Sequence, residues 1–143
     1  MSIFFDLPCK RKTRKAIMKF TIDKQDKYCV FSLQEEKLNS ASGPLLKSEM
    51  IILNAEGFRN IIFDMSEVKF VDSSGLSAIL ISDRLCKNAK GTFVLWGINE
   101  QVLRLLKISQ LDSVLHIAPT LQEAKDLVLM EEIERDFNET PEL

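Results

Sequence analysis

Residues 60–97 read NIIFDMSEVKFVDSSGLSAILISDRLCKNAKGTFVLWG, and the fold class follows from this stretch. It opens on NIIFDMS, a short and almost wholly apolar run. Such runs suit a central strand covered on both faces. The middle is helical: Leu76, Ile79 and Leu80 stand at i, i+3 and i+4, and Cys86 follows Ile79 by seven. Gly91 stands where a left-handed helix C-cap is expected. TFVLWG, 92–97, is a second buried strand. The result is strand, helix, strand, with a polar Asp-Ser-Ser-Gly run where the helix begins.

The flanking sequence repeats this grammar. MKFTID (18–23) alternates, with Phe20 and Ile22 on one face, and YCVFSL (28–33) sets Tyr28, Val30 and Ser32 opposite Cys29, Phe31 and Leu33. The polar DKQDK between them reads as a hairpin turn. Leu46, Met50 and Leu53 mark a helix that Gly57 stops. NEQVLRLLKIS is a helix with Asn99 as its N-cap, and SVLHIA is a last short strand. Thr120 and Glu123 have the spacing of a capping box at the head of a final helix. Strands alternating with helices in this order imply a layered α/β domain with parallel pairs in its sheet.

The chain of 143 residues is 45% hydrophobic, enough for one domain with its own core. The net charge is −2, which argues against direct nucleic-acid binding, but it is unevenly spread. Residues 1–17 carry five basic residues against Asp6, leaving the remainder at −6. We therefore expect a solvated basic extension over 1–17, standing apart from the fold, a domain over 18–133, and an acidic, fraying tail over 134–143. Cys9, Cys29 and Cys86 are scattered singly, which fits a reducing compartment better than a disulfide framework or a zinc site. The N-terminus lacks the order of a secretory signal, and no apolar run approaches the roughly 20 residues of a membrane span. A cytoplasmic location is expected.

Chemistry concentrates at Asp72-Ser73-Ser74-Gly75-Leu76. A helix start leaves backbone N–H groups pointing outward, and Asp or Ser satisfies them. Asp72 and Ser73 can therefore be simple caps, with Gly75 allowing close packing. The same physics favours an added anion, so that a phosphate on Ser73 or Ser74 would be tolerated.

The runs FDMSEVKFVDSSGLSAIL and GTFVLWGINEQVLRLLKISQLDSVLHI resemble a STAS domain of the bacterial anti-sigma factor antagonist type, from about Met18 to Ile133. Asp-Ser-Ser-Gly-Leu and the later Ile108-Ser109-Gln110-Leu111-Asp112 carry the likeness. The resemblance implies one STAS-like domain, a mixed four- or five-stranded sheet with about four helices packed mainly on one side. It implies a non-enzymatic phosphoprotein in partner switching. Ser73 would be phosphorylated by a serine kinase that is itself the anti-sigma factor, and a serine phosphatase would reverse this. The unphosphorylated form would bind through Leu38, Asn39, Ser40, Asp72, Ser73, Ser74, Gly75 and Leu76. Many members read Gly-Glu-Leu-Asp where this chain reads Glu36-Lys37-Leu38-Asn39. Asn39 keeps the size and an acceptor oxygen but loses the charge.

A STAS scaffold subunit of a transport or signalling complex, without phosphorylation, is the contrasting reading. A hydrolase is disfavoured, because the motif is not Gly-x-Ser-x-Gly and the sole histidine, His116, sits in an apolar strand. No Gly-rich phosphate loop occurs, and no cofactor or metal is expected. Asp64 and Asp72 are a candidate carboxylate pair for a metal, but Asp64 reads more simply as a strand end. Trp96 and the phenylalanines are expected in the core.

Overall fold

The computed structural model describes residues 2–6 and 18–139. In chain order it holds β1 (Ser2–Asp6), β2 (Lys19–Lys24), β3 (Cys29–Leu33), β4 (Lys37–Leu38) and α1 (Gly43–Ala55). There follow β5 (Ile61–Asp64), β6 (Phe70–Val71), α2 (Ser73–Asn88), β7 (Phe93–Trp96), α3 (Glu100–Ile108), β8 (His116–Ala118) and α4 (Leu121–Glu139). The main sheet runs β1-β2-β3-β5-β7-β8. The first three strands are antiparallel, and β3 onward are parallel. A separate two-stranded parallel ribbon pairs β4 with β6.

Strand alternation separates two cores. On one face Phe20, Phe31, Phe63 and Phe93 form a ladder across β2, β3, β5 and β7, with successive ring centroids 4.9, 5.7 and 6.1 Å apart. Leu46, Met50 and Leu53 of α1, Ala78, Ile79 and Cys86 of α2, and Val102 and Leu106 of α3 close over it. Each fully buried phenylalanine is worth about 1.5–3 kcal/mol, so this ladder is a principal source of stability. On the opposite face Val30, Ile62 and Val94 meet Ala118, Ala124 and Val128, and α4 is the helix that covers them. Burial pushes the Cys29 and Cys86 thiols up to about 12, the behaviour of inert core residues.

Several expectations need correction. Ser2–Asp6 forms an edge strand on β2, so the leader is not wholly apart from the fold and the sheet has six strands. The remainder of the leader, 7–17, lies outside the described residues, as do 140–143. The expected boundary at 133 falls inside α4, which continues to Glu139 because Arg135 is bonded to Asn60, Thr92 and Glu132. Gly91 is not the left-handed residue after α2; Lys90 is, with φ 63°. Gly91 is required for a different reason, since a Cβ there would fall on the Arg59 backbone. Among the residues whose burial is described, Phe70 and Phe137 lie outside the core, 51% and 80% exposed.

Candidate functional site

The Asp72–Leu76 run sits where β6 passes into α2. Asp72 is extended (φ −103°, ψ −171°), and its side chain accepts from the Gly75 N–H at 3.0 Å. Its own carbonyl accepts the first helical bond, from the Leu76 N–H at 2.9 Å. Ser73 is thus the first helical residue, and its side chain is exposed. The helix-end N–H groups and macrodipole beside its hydroxyl favour a negative charge.

The β4–β6 ribbon brings a second segment alongside. Leu38 pairs in register with Val71, and the Asp72 N–H donates to the Leu38 carbonyl at 3.2 Å. Asn39 then organises the turn into α1. Its side-chain oxygen accepts from the Ala41 and Ser42 N–H groups at 3.0 and 3.3 Å, while its own N–H donates to the Ser42 hydroxyl at 3.0 Å. All of this needs an acceptor oxygen and none of it needs a charge, so asparagine serves the loop as aspartate would.

The eight expected contact residues do come together, but they do not share one role. Leu38 is fully buried in the main core and Gly75 is buried under the ribbon, so neither offers a side chain to a partner. They shape the surface that Asn39, Ser40, Asp72, Ser73, Ser74 and Leu76 present. A Cβ on Gly75 would fall on the Leu38 carbonyl oxygen and lie 2.9 Å from Val71 Cγ1. Backbone on one side and a β-branched side chain on the other leave little room to yield. Gly75→Ala is therefore expected to destabilise the domain by about 1–3 kcal/mol, the usual range for overpacking. A denaturant midpoint unchanged from wild type would contradict this packing.

Sequence reading missed what lies below Ser73. A shallow groove of about 350 Å³ follows α2 past Ser73, Leu76, Ser77, Leu80, Ile81 and Arg84 and is closed by Leu111. Leu111 belongs to the Ile108–Asp112 motif. It reaches the groove because Gln110 takes a left-handed conformation (φ 61°) at the end of α3, with the Leu111 N–H on the Leu106 carbonyl at 2.8 Å. The spacing 73, 77, 80, 84 is one helix stripe, a signal that was legible; the arrival of Leu111 was not.

The other candidates have structural employment. Asp64 accepts from the Ser32 hydroxyl at 3.0 Å and the Ser66 N–H at 2.9 Å. His116 lies on β8 with Nε2 3.9 Å from Glu131. Among the described residues no group of three His, Cys, Asp or Glu could hold a metal, and no helix is long and apolar enough to cross a membrane.

Comparison with known proteins bears on this geometry. The STAS domain family model matches residues 19–124. The chain is 31% identical over 108 residues to a Thermotoga maritima protein named "Putative anti-sigma factor antagonist", covering 74% of this chain and 90% of that one. It is 27% identical over 107 residues to "Putative anti-sigma factor antagonist BtrV" of Bordetella bronchiseptica, covering 75% and 91%. A crystal structure described as an anti-sigma factor antagonist of the same putative kind, also from Thermotoga maritima, superposes with a TM-score of 0.69 at 29% identity, covering 76% of this chain and 93% of that one.

Proposed function

Because the chain belongs to the STAS domain family, we propose that it is an anti-sigma factor antagonist, switched by phosphorylation of Ser73. One observation supports this most: Ser73 is an exposed hydroxyl at the first position of a capped helix, directly above an apolar groove. The hydroxyl is accessible to a kinase, and the helix end accommodates the product. The groove supplies the apolar area a partner needs. Leu76, Leu80, Ile81 and Leu111 would anchor the anti-sigma factor, with Asn39, Ser40, Asp72 and Ser74 at the rim. On this reading the protein performs no catalysis. It works in the cytoplasm, where an anti-sigma factor that is also a serine kinase adds the phosphate and a serine phosphatase removes it.

Ser73 is preferred over Ser74 on exposure. Ser74 is half-buried, and its carbonyl lies where a Cβ on Gly43 of α1 would meet it at 3.1 Å. Incubation with the cognate kinase and ATP, followed by site mapping, tests the assignment. Ser73→Ala is expected to abolish labelling and Ser74→Ala to leave most of it. Labelling that persists in Ser73→Ala would refute the acceptor assignment. Absence of labelling in the wild-type protein, with binding retained, would favour a scaffold subunit without a phosphorylation cycle.

A further inference from the structure

From the structure of α4 we infer that its outer face docks a cationic amphipathic helix of a second protein, independently of the Ser73 surface. The helix is amphipathic in the wrong sense over its last turns. Toward the sheet it presents Ala124 and Val128, then Glu131, Glu132 and Arg135, which bond to Arg59, Asn60 and Thr92. Away from the sheet it presents Leu129, Met130, Ile133 and Phe137, which are 37%, 62%, 64% and 80% exposed. At about 100° per residue these four fall within an arc of about 100°, roughly opposite the inward residues. An apolar stripe at this spacing is the recognition pattern of a helix lying against another helix.

Charge selects the occupant. Glu123, Asp126, Glu134 and Asp136 are exposed along the same helix. Its basic residues over 121–137 are Lys125 and Arg135, of which Arg135 is bonded inward. A second copy of this chain would bring an equally acidic rim against this one, since isologous contacts juxtapose the same patch. An anionic membrane would be repelled in the same way. A helix with apolar anchors flanked by lysine or arginine complements both stripe and rim. Because α4 covers the face of the sheet opposite α2, this partner and one at Ser73 can be held together.

The test titrates the full chain with a labelled Leu/Lys amphipathic peptide of about 18 residues and with its Leu/Glu counterpart, read by fluorescence anisotropy. We expect the Leu/Lys peptide to bind about tenfold or more tightly than the Leu/Glu peptide. The double variant Ile133→Gln, Phe137→Gln keeps every charge and is expected to lose about tenfold in that affinity, with an unchanged thermal melt. Equal binding of both peptides, no binding of either, or undiminished binding by the double variant would overturn the inference. So would a wild-type dimer in sedimentation that the double variant disperses, which would give the stripe to a second copy.

Discussion

Phosphorylated at Ser73, the protein is expected to bind its anti-sigma factor about a hundredfold more weakly, or worse, while melting at nearly the same temperature. Two sets of terms decide this. Within the domain, an anion at a helix N-terminus gains about 0.3–1 kcal/mol, and repulsion from the adjacent Asp72 is screened at an exposed position. These offset, so stability should move by less than about 1 kcal/mol, or a few degrees in Tm. At an interface the balance differs. Ser73 borders the groove under Leu76, Leu80 and Leu111, so a partner seated there must desolvate a charge of about −1.5 to −2. Burying one unpaired charge costs several kcal/mol, and each 1.4 kcal/mol is tenfold in affinity. The interface term wins. Melts and a binding titration on the phosphorylated protein measure both quantities. Ser73→Glu should lean the same way, more weakly, having one charge and two oxygens in place of three. A large drop in melting temperature, or an unchanged affinity, would remove the proposed mechanism.

Glu132→Ala is expected to cost about 3 kcal/mol at neutral pH, although the residue is remote from Ser73. Glu132 is 8% exposed. It accepts from Arg59 Nη2, from Asn60 Nδ2 at 2.7 Å and from Arg135 Nη2 at 3.2 Å. Asn60 and Thr92 bind Arg135 in turn, so the cluster ties α4 to the turns before β5 and β7. Removing the carboxylate leaves two guanidinium groups short of an acceptor. Burial by itself would push the Glu132 pKa up, but the hydrogen bonds from Arg59, Asn60 and Arg135 outweigh it and hold the carboxyl at about 2, against an ordinary 4.5. The sign follows from the depressed value. The stabilisation is fully present above the unfolded-state pKa and is lost as pH falls from about 4.5 toward about 2. The difference between wild type and Glu132→Ala should therefore be largest near neutrality and should close across that window. Urea titrations at several pH values check it. A gap independent of pH would mean that the side chain contributes packing and not charge.

Local sequence specified the framework because its information is periodic or positional. Alternation at Phe20 and Ile22, and at Cys29, Phe31 and Leu33, assigned strand faces that the structure reproduces in two separate cores. Asn99 accepts from the Val102 N–H at 2.8 Å, as an N-cap should. Thr120 accepts from the Glu123 N–H at 3.1 Å, giving the first half of the expected capping box. The Asp72–Leu76 run was legible for the same reason: a cap and a hydroxyl at a helix start act within four residues of chain, although what Gly75 makes room for, the Leu38 carbonyl, lies 37 residues away.

What escaped the sequence are relations between residues far apart in it. The family resemblance placed Leu38 on the partner surface; pairing with Val71 buries it. Gly91 reads as a left-handed helix C-cap because no sequence pattern records that Arg59 passes beside it. The residues after Ile133 looked like a solvated acidic tail, since charge predicts exposure only when no partner waits inside. Arg59, lying 73 positions before Glu132, is such a partner, and with it α4 buries Glu132 and turns Ile133 and Phe137 outward. Strand and helix periods, caps and the place of Ser73 at the head of α2 were set by the sequence itself, through forces that act over a turn or a pleat. The groove, the ribbon beside Ser73 and the inverted end of α4 were decided only by the tertiary structure, because burial and pairing depend on which distant segments the sheet order brings into contact.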